Sequence, residues 1–158
     1  MRSKRAKIQP ITPDPKFGST KVAKLINQAM IDGKKSVAQK QVYQALEIVS
    51  EKTGKQPLET LEAVLEIITP QMEVRSRRVG GAAYQVPMPI RGRRGFSLAV
   101  RWLVEESNKR PNKQYHTYAD KLAAEMLDAL EGQGGTVNKK NTSHRMAEAN
   151  KAFSHFRW

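Results

Sequence analysis

Val74-Arg-Ser-Arg-Arg-Val-Gly-Gly-Ala-Ala-Tyr-Gln-Val-Pro-Met-Pro-Ile90 reads with a period of two. In its second half Tyr84, Val86, Met88 and Ile90 alternate with Gln85, Pro87 and Pro89, which is the pattern of a strand. Gly80-Gly81 can take the positive φ angles of a tight hairpin turn. Pro87 and Pro89 lack the N–H that a central strand donates, so this strand is confined to an edge. The spacing therefore predicts a hairpin over 72–90. A lone two-stranded ribbon is marginal in water, so it needs a body to hold it. Its exposed arginines make it project from that body.

On either side the period changes to 3.6. Upstream, Val22, Leu25, Ile26, Ala29 and Met30 form one apolar stripe, with Ser19 as N-cap and Gly33 as the stop. Ser36 and Gln39 make a capping box for a second helix carrying Ala38, Val42, Ala45, Leu46 and Val49, ended by Gly54. Pro57 opens a third helix, which buries Leu58, Leu61, Val64, Leu65 and Ile68 and stops at Pro70. Downstream, Ala99, Trp102 and Leu103 share a face of a fourth helix. Tyr118, Leu122, Ala123, Met126, Leu127 and Leu130 mark a fifth, ended by Gly132, Gly134 and Gly135. Met146, Ala149, Phe153 and Phe156 mark a last helix after a basic loop. The fold class is mainly α: one domain over 1–158, of about six helices, with a protruding two-stranded β-hairpin between helices three and four. Residues 1–18, with Pro10, Pro13 and Pro15, read as a basic extended arm, and 141–158 as a C-terminal helix and tail.

Charge points to the partner. Lys and Arg total 28 against 15 Asp and Glu, a formal net charge of +13 over 158 residues. Self-repulsion on this scale opposes compaction unless a polyanion neutralises it. The charge is also segregated. Between Val74 and Val104 there are seven arginines and no acidic residue, whereas 47–73 holds six glutamates and two lysines. Solubility needs only mixed charge, so this division favours contact with nucleic acid. Arginine grips phosphate in a bidentate fork and stacks on bases. Arg91, Arg93 and Arg94 fall where a helix begins, and free N–H groups there add attraction for phosphate. Lys34, Lys35, Lys109, Arg110, Lys113, Lys139, Lys140 and Arg145 extend the surface. They form a concave saddle if the helices gather them on one face.

Other classes find little support. No apolar run of about 18 residues exists to span a bilayer, and no apolar stretch follows the basic start to make a secretory signal. Cysteine is absent, which excludes disulfides and thiolate metal sites. No nucleophile elbow, P-loop or dinucleotide fingerprint is present. His116, His144 and His155 are isolated, with no carboxylate at ligand spacing. No catalytic residue, metal, cofactor or small-molecule substrate is expected. Gly92-Arg-Arg-Gly95 has the form of a KH-domain loop, but a strand rather than a helix precedes it. Tyr84 is a candidate for stacking on a base or for packing on the opposite strand, and Trp102 is assigned to the core. The residues alone leave RNA binding, architectural DNA binding by a basic β-ribbon, and an RNA-processing enzyme relying on His144 as competing classes.

Five segments then carry a resemblance. Ile11-Thr-Pro-Asp-Pro-Lys-Phe-Gly-Ser19, Asp32-Gly-Lys-Lys-Ser36, Val74 to Gly81 with Tyr84-Gln-Val-Pro87, Leu98-Ala-Val-Arg-Trp102, and His144 to Phe153 occur in order across nearly the whole chain. Together they resemble the bacterial form of the small-subunit ribosomal protein seven family. The resemblance implies a helical body with a protruding hairpin, working in the ribosome in the cytoplasm, with an organellar ribosome as the alternative. It implies direct binding to the three-prime major domain of small-subunit rRNA, nucleation of head assembly, and a position at the subunit interface near the exit-site tRNA. Small-subunit proteins nine and eleven are the expected neighbours, with no membrane partner. Carried over by matching motif, the rRNA-binding candidates are Lys16, Lys34, Lys35, Arg75, Arg77, Arg78, Arg93, Arg94, Arg101, Lys139, Lys140 and Arg145. Lys109 joins them from the charge pattern. The hairpin tip, Arg78, Val79, Gly80, Gly81, Ala82 and Ala83, is the candidate edge toward tRNA.

Overall fold

A computed structural model describes residues 9–157. Six α-helices run in order as α1 (Thr20–Ala29), α2 (Lys35–Thr53), α3 (Pro57–Ile68), α4 (Arg93–Lys109), α5 (Tyr118–Leu130) and α6 (Gly134–Ala149). Strands β1 (Met72–Val79) and β2 (Ala82–Pro89) lie between α3 and α4, and a 3-10 turn (Lys151–Phe156) closes the described chain. Residues 1–8 of the basic arm and Trp158 lie outside the described residues.

The helices form because their apolar stripes find one another. α5 is the central element, packed on α2, α3, α4 and α6. Leu25, Ile26, Leu46, Leu61, Ile68, Leu103, Leu122 and Met126 are sealed from solvent around it. Each such side chain contributes about 1.5–3 kcal/mol of transfer free energy. Local signals set the ends. Ser19 Oγ accepts from Lys21 N–H, Gly54 takes the left-handed C-cap, and Pro57 sits in the first turn of α3. Thr117 and Asp120 form a reciprocal capping box on α5, with bonds of 3.1 and 3.2 Å.

Several helix boundaries differ from the sequence expectation. α1 ends at Ala29, before Gly33, which instead serves the turn into α2 together with Asp32 at φ 53°. α2 begins at Lys35, which places Ser36 inside the first turn, and no capping box forms there. α6 begins at Gly134, so Lys139 and Lys140 are helical and Arg145 lies well past the first turn. Its buried face is Thr136, Val137, Ser143 and Ala147, while Met146 is 49% exposed. The helix breaks after Ala149, and Phe153 and Phe156 follow on the 3-10 turn. Trp102 lies half-buried in a crevice between α4 and α6, outside the core, because α4 turns Ala99, Val100, Leu103 and Val104 inward.

The hairpin pairs antiparallel from Met72–Pro89 to Val79–Ala82, and Gly80 and Gly81 turn it with φ of 58° and 92°. The tip is largely exposed, but the root is covered on both faces. Val86 and its neighbour Pro87 are both buried, which breaks the alternation read from the sequence. The coverings are α6 on β1 and the 3-10 turn on β2. Ser143 Oγ donates to Met72 O (3.1 Å), and Gln71 N–H donates to His144 Nε2 (3.0 Å). Tyr84 is half-buried against the 3-10 turn. Its ring lies 5.4 Å from that of Phe153 and 5.1 Å from that of Phe156.

Candidate nucleic-acid interface

The hairpin root, the start of α4 and the end of the chain converge. Arg75, Arg91, Arg94 and Arg157 line one cleft of about 480 Å³, floored by Met88 and Pro89. At its edge Glu73 is buried, and its two carboxylate oxygens accept from Arg75 Nε (2.5 Å) and Arg94 Nε (2.6 Å). The arginine-rich stretch is therefore not free of carboxylate compensation: Glu73, the residue just before it, holds two of its members. Arg93 sits beside a second, larger depression with Lys24, between α1, α4 and the arm at Gln9–Ile11. Arg78, Arg91, Arg93, Arg101 and Arg145 are exposed and make no ion pair among the described residues. Gly92 precedes α4 without a side-chain cap, which leaves N–H groups of its first turn available.

The other predicted positions divide. Lys34 and Lys35 are exposed at the start of α2, on the α1–α2 turn. Lys16 pairs with Glu47 and lies over the Phe17 and Tyr43 rings. That contact belongs to a lock on the arm. Asp14 is 3% exposed and accepts from Lys16 N–H and Phe17 N–H (3.1 Å each) and from Tyr43 Oη (2.6 Å). Burial, with the Asp14 carboxylate, raises the Tyr43 pKa. Lys140 donates to Ile67 O (2.6 Å), so it caps the end of α3.

Lys109 and Lys139 sit on the Trp102 side of the molecule, lining the α4–α6 crevice. Lys109 pairs with Glu106 (2.7 Å), and Lys139 pairs with Glu105 and with Glu106 (3.0 Å). Burial opposes ionisation of Glu106, but hydrogen bonds from Lys109 and Lys139 outweigh it and lower its pKa. Arg110 is committed inward. Its Nε and Nη2 donate to Glu125 Oε2 (2.9 and 2.7 Å), and Nη2 also meets Asp128. Glu125 Oε1 accepts from the N–H and Oγ1 of Thr136, at 2.8 Å each. A Cβ on Gly135 would lie 2.6 Å from Glu106 Oε2 and 3.1 Å from its Cγ, so a larger residue there would have to displace the Glu106 side chain.

Two contributors escaped the sequence reading. Glu73 counted only as part of an acidic side, and Arg157 carried no periodic signal. The path of the chain from β2 into α4 brings Arg94 to the first, and the fold-back of the 3-10 turn brings the second to the cleft. The arrangement offers fixed guanidinium donors in a solvent-open basin, which suits phosphate. Among the described residues no group of three His, Cys, Asp or Glu is placed to hold a metal. No helix among the described residues is long and apolar enough to cross a membrane.

Known proteins match nearly the whole chain. Small ribosomal subunit protein uS7 of Hahella chejuensis is 60% identical over 148 residues, covering 94% of this chain and 93% of that protein. Its counterparts in Caldicellulosiruptor saccharolyticus and in Sulfurihydrogenibium sp. are 57% and 53% identical over the same shares. The family described as ribosomal protein S7p/S5e matches residues 1–151, and the chain belongs to that family.

Proposed function

We propose that this chain is a structural constituent of the small ribosomal subunit that binds its rRNA, in the cytoplasm. The observation that carries this reading is the convergence of Arg75, Arg91, Arg94 and Arg157 on one open cleft. The relatives named above are small-subunit proteins, not enzymes, and RNA binding is general to the family. Capture is electrostatic, with shape readout of a folded RNA rather than base-edge reading.

The finer reading is direct binding to the three-prime major domain, early enough to nucleate the head. In it the exposed tip, Arg78 to Ala83, faces the exit-site tRNA, and small-subunit proteins nine and eleven are neighbours. The rRNA contacts come first from Arg75, Arg77, Arg78, Arg93, Arg94, Arg101 and Arg145, with Lys34 and Lys35. Lys16, Lys109, Lys139 and Lys140 contribute only where RNA displaces their present partners.

A salt titration against head-domain rRNA tests the reading. With six to ten phosphate contacts, affinity falls about a thousandfold or more between roughly 50 and 200 mM salt. A flat titration, or equal competition by duplex DNA, overturns it.

A further inference from the structure

We infer that the cleft at the hairpin root is a preset clamp for RNA backbone phosphate, in which Glu73 is the positioning residue and Arg91 and Arg157 are members. The inference rests on the RNA-binding reading above and adds to it an assigned subsite.

One carboxylate holds more than one arginine here. Glu73 holds two, each through Nε alone. Nε is one of five N–H donors on a guanidinium, so the terminal nitrogens of both arginines keep their capacity to bind an anion. Their side chains are 48% and 50% exposed, whereas that of Glu73 is only 10% exposed. The carboxylate is thus the anchored element, and the guanidinium groups are held at the surface with little freedom left to lose on binding. Arg91 and Arg157 border the same cleft and make no ion pair among the described residues. Among the described residues, four guanidinium groups against one carboxylate leave an excess of three positive charges at a cleft of about 480 Å³. A phosphodiester chain passing through supplies the missing negative charge. Arg157 belongs because Tyr84 stacks on Phe153 and Phe156 and so folds the end of the chain back over the hairpin.

Glu73→Gln separates positioning from simple neutralisation by sign. The substitution raises the net charge by one, so charge alone predicts tighter binding to rRNA. An amide, however, keeps one acceptor and turns a donor toward the other arginine. Positioning therefore predicts weaker binding, by about tenfold near 100 mM salt, with a salt slope shallower by one to two units. Arg157→Ala, outside the core, lowers the slope by about one unit. Thermal melts confirm that each variant is folded. Glu73→Gln binding as tightly as the unsubstituted chain, or Arg157→Ala with an unchanged slope, overturns the clamp. If the unsubstituted chain itself shows no salt-dependent rRNA binding, the functional reading fails instead.

Discussion

The two ends of α4 treat their cations differently. At the C-terminal end Lys109 and Arg110 are drawn into carboxylates of α4 and α5, and Lys139 joins them from α6. At the N-terminal end Arg91 and Arg93 face solvent, and only Arg94 is held, by a Glu73 it shares with Arg75. One end uses charge to join helices and the other uses it to meet a partner. A net charge of +13 does not distinguish these uses, because a cation already paired with a buried carboxylate adds little to the field a polyanion meets.

The comparison can be broken first at its structural end. Glu125→Ala leaves Arg110 with the half-exposed Asp128 and the Tyr115 hydroxyl (3.3 Å), and removes the acceptor of both Thr136 bonds. Loss of one partner from such a buried pair costs about 3–5 kcal/mol. Urea unfolding followed by circular dichroism measures it, and a loss under about 1 kcal/mol would mean that the network is dispensable. A sharper contrast sets Arg78→Ala against Lys109→Ala in the rRNA salt titration. Arg78→Ala lowers the slope by about one unit, as expected for one lost phosphate contact. Lys109→Ala leaves it nearly unchanged, because Glu106 already neutralises that charge. Equal effects would erase the distinction between the two ends.

The smallest effect lies in the body itself. Tyr118 Oη is buried and has no hydrogen-bond partner among the described residues, and burial raises its pKa. A raised folded pKa means stability that is present below about pH 10 and lost as pH rises past it, since the unfolded chain ionises first. Tyr118→Phe removes the unsatisfied group. It should be neutral or stabilising by up to about 1 kcal/mol at pH 8, and should soften the alkaline loss. Melting curves at pH 8 and pH 10.5 show both.

Helix existence was legible wherever an apolar stripe was continuous, as in α2, α3 and α5, and the hairpin was legible from Gly80-Gly81 and the flanking alternation. α6 was misread because its buried face is built from Thr136, Val137, Ser143 and Ala147, two of them hydroxyl residues. Ser143 is buried by its bond to Met72 O, a partner far away in sequence. Trp102 was misassigned because large aromatics usually close a core, whereas here smaller residues on the neighbouring turn of α4 do so.

Local chemistry determined the helix-forming segments, the turn at Gly80-Gly81 and the arginine density around it, because periodicity and φ preference act over a few residues. Docking decided which cations remain available. An ion pair between Arg110 and Glu125, or between Arg94 and Glu73, depends on elements meeting across 15 or 21 residues of chain. No period in the sequence records such a meeting, since it is set by how the buried faces of α4, α5 and the hairpin root fit together.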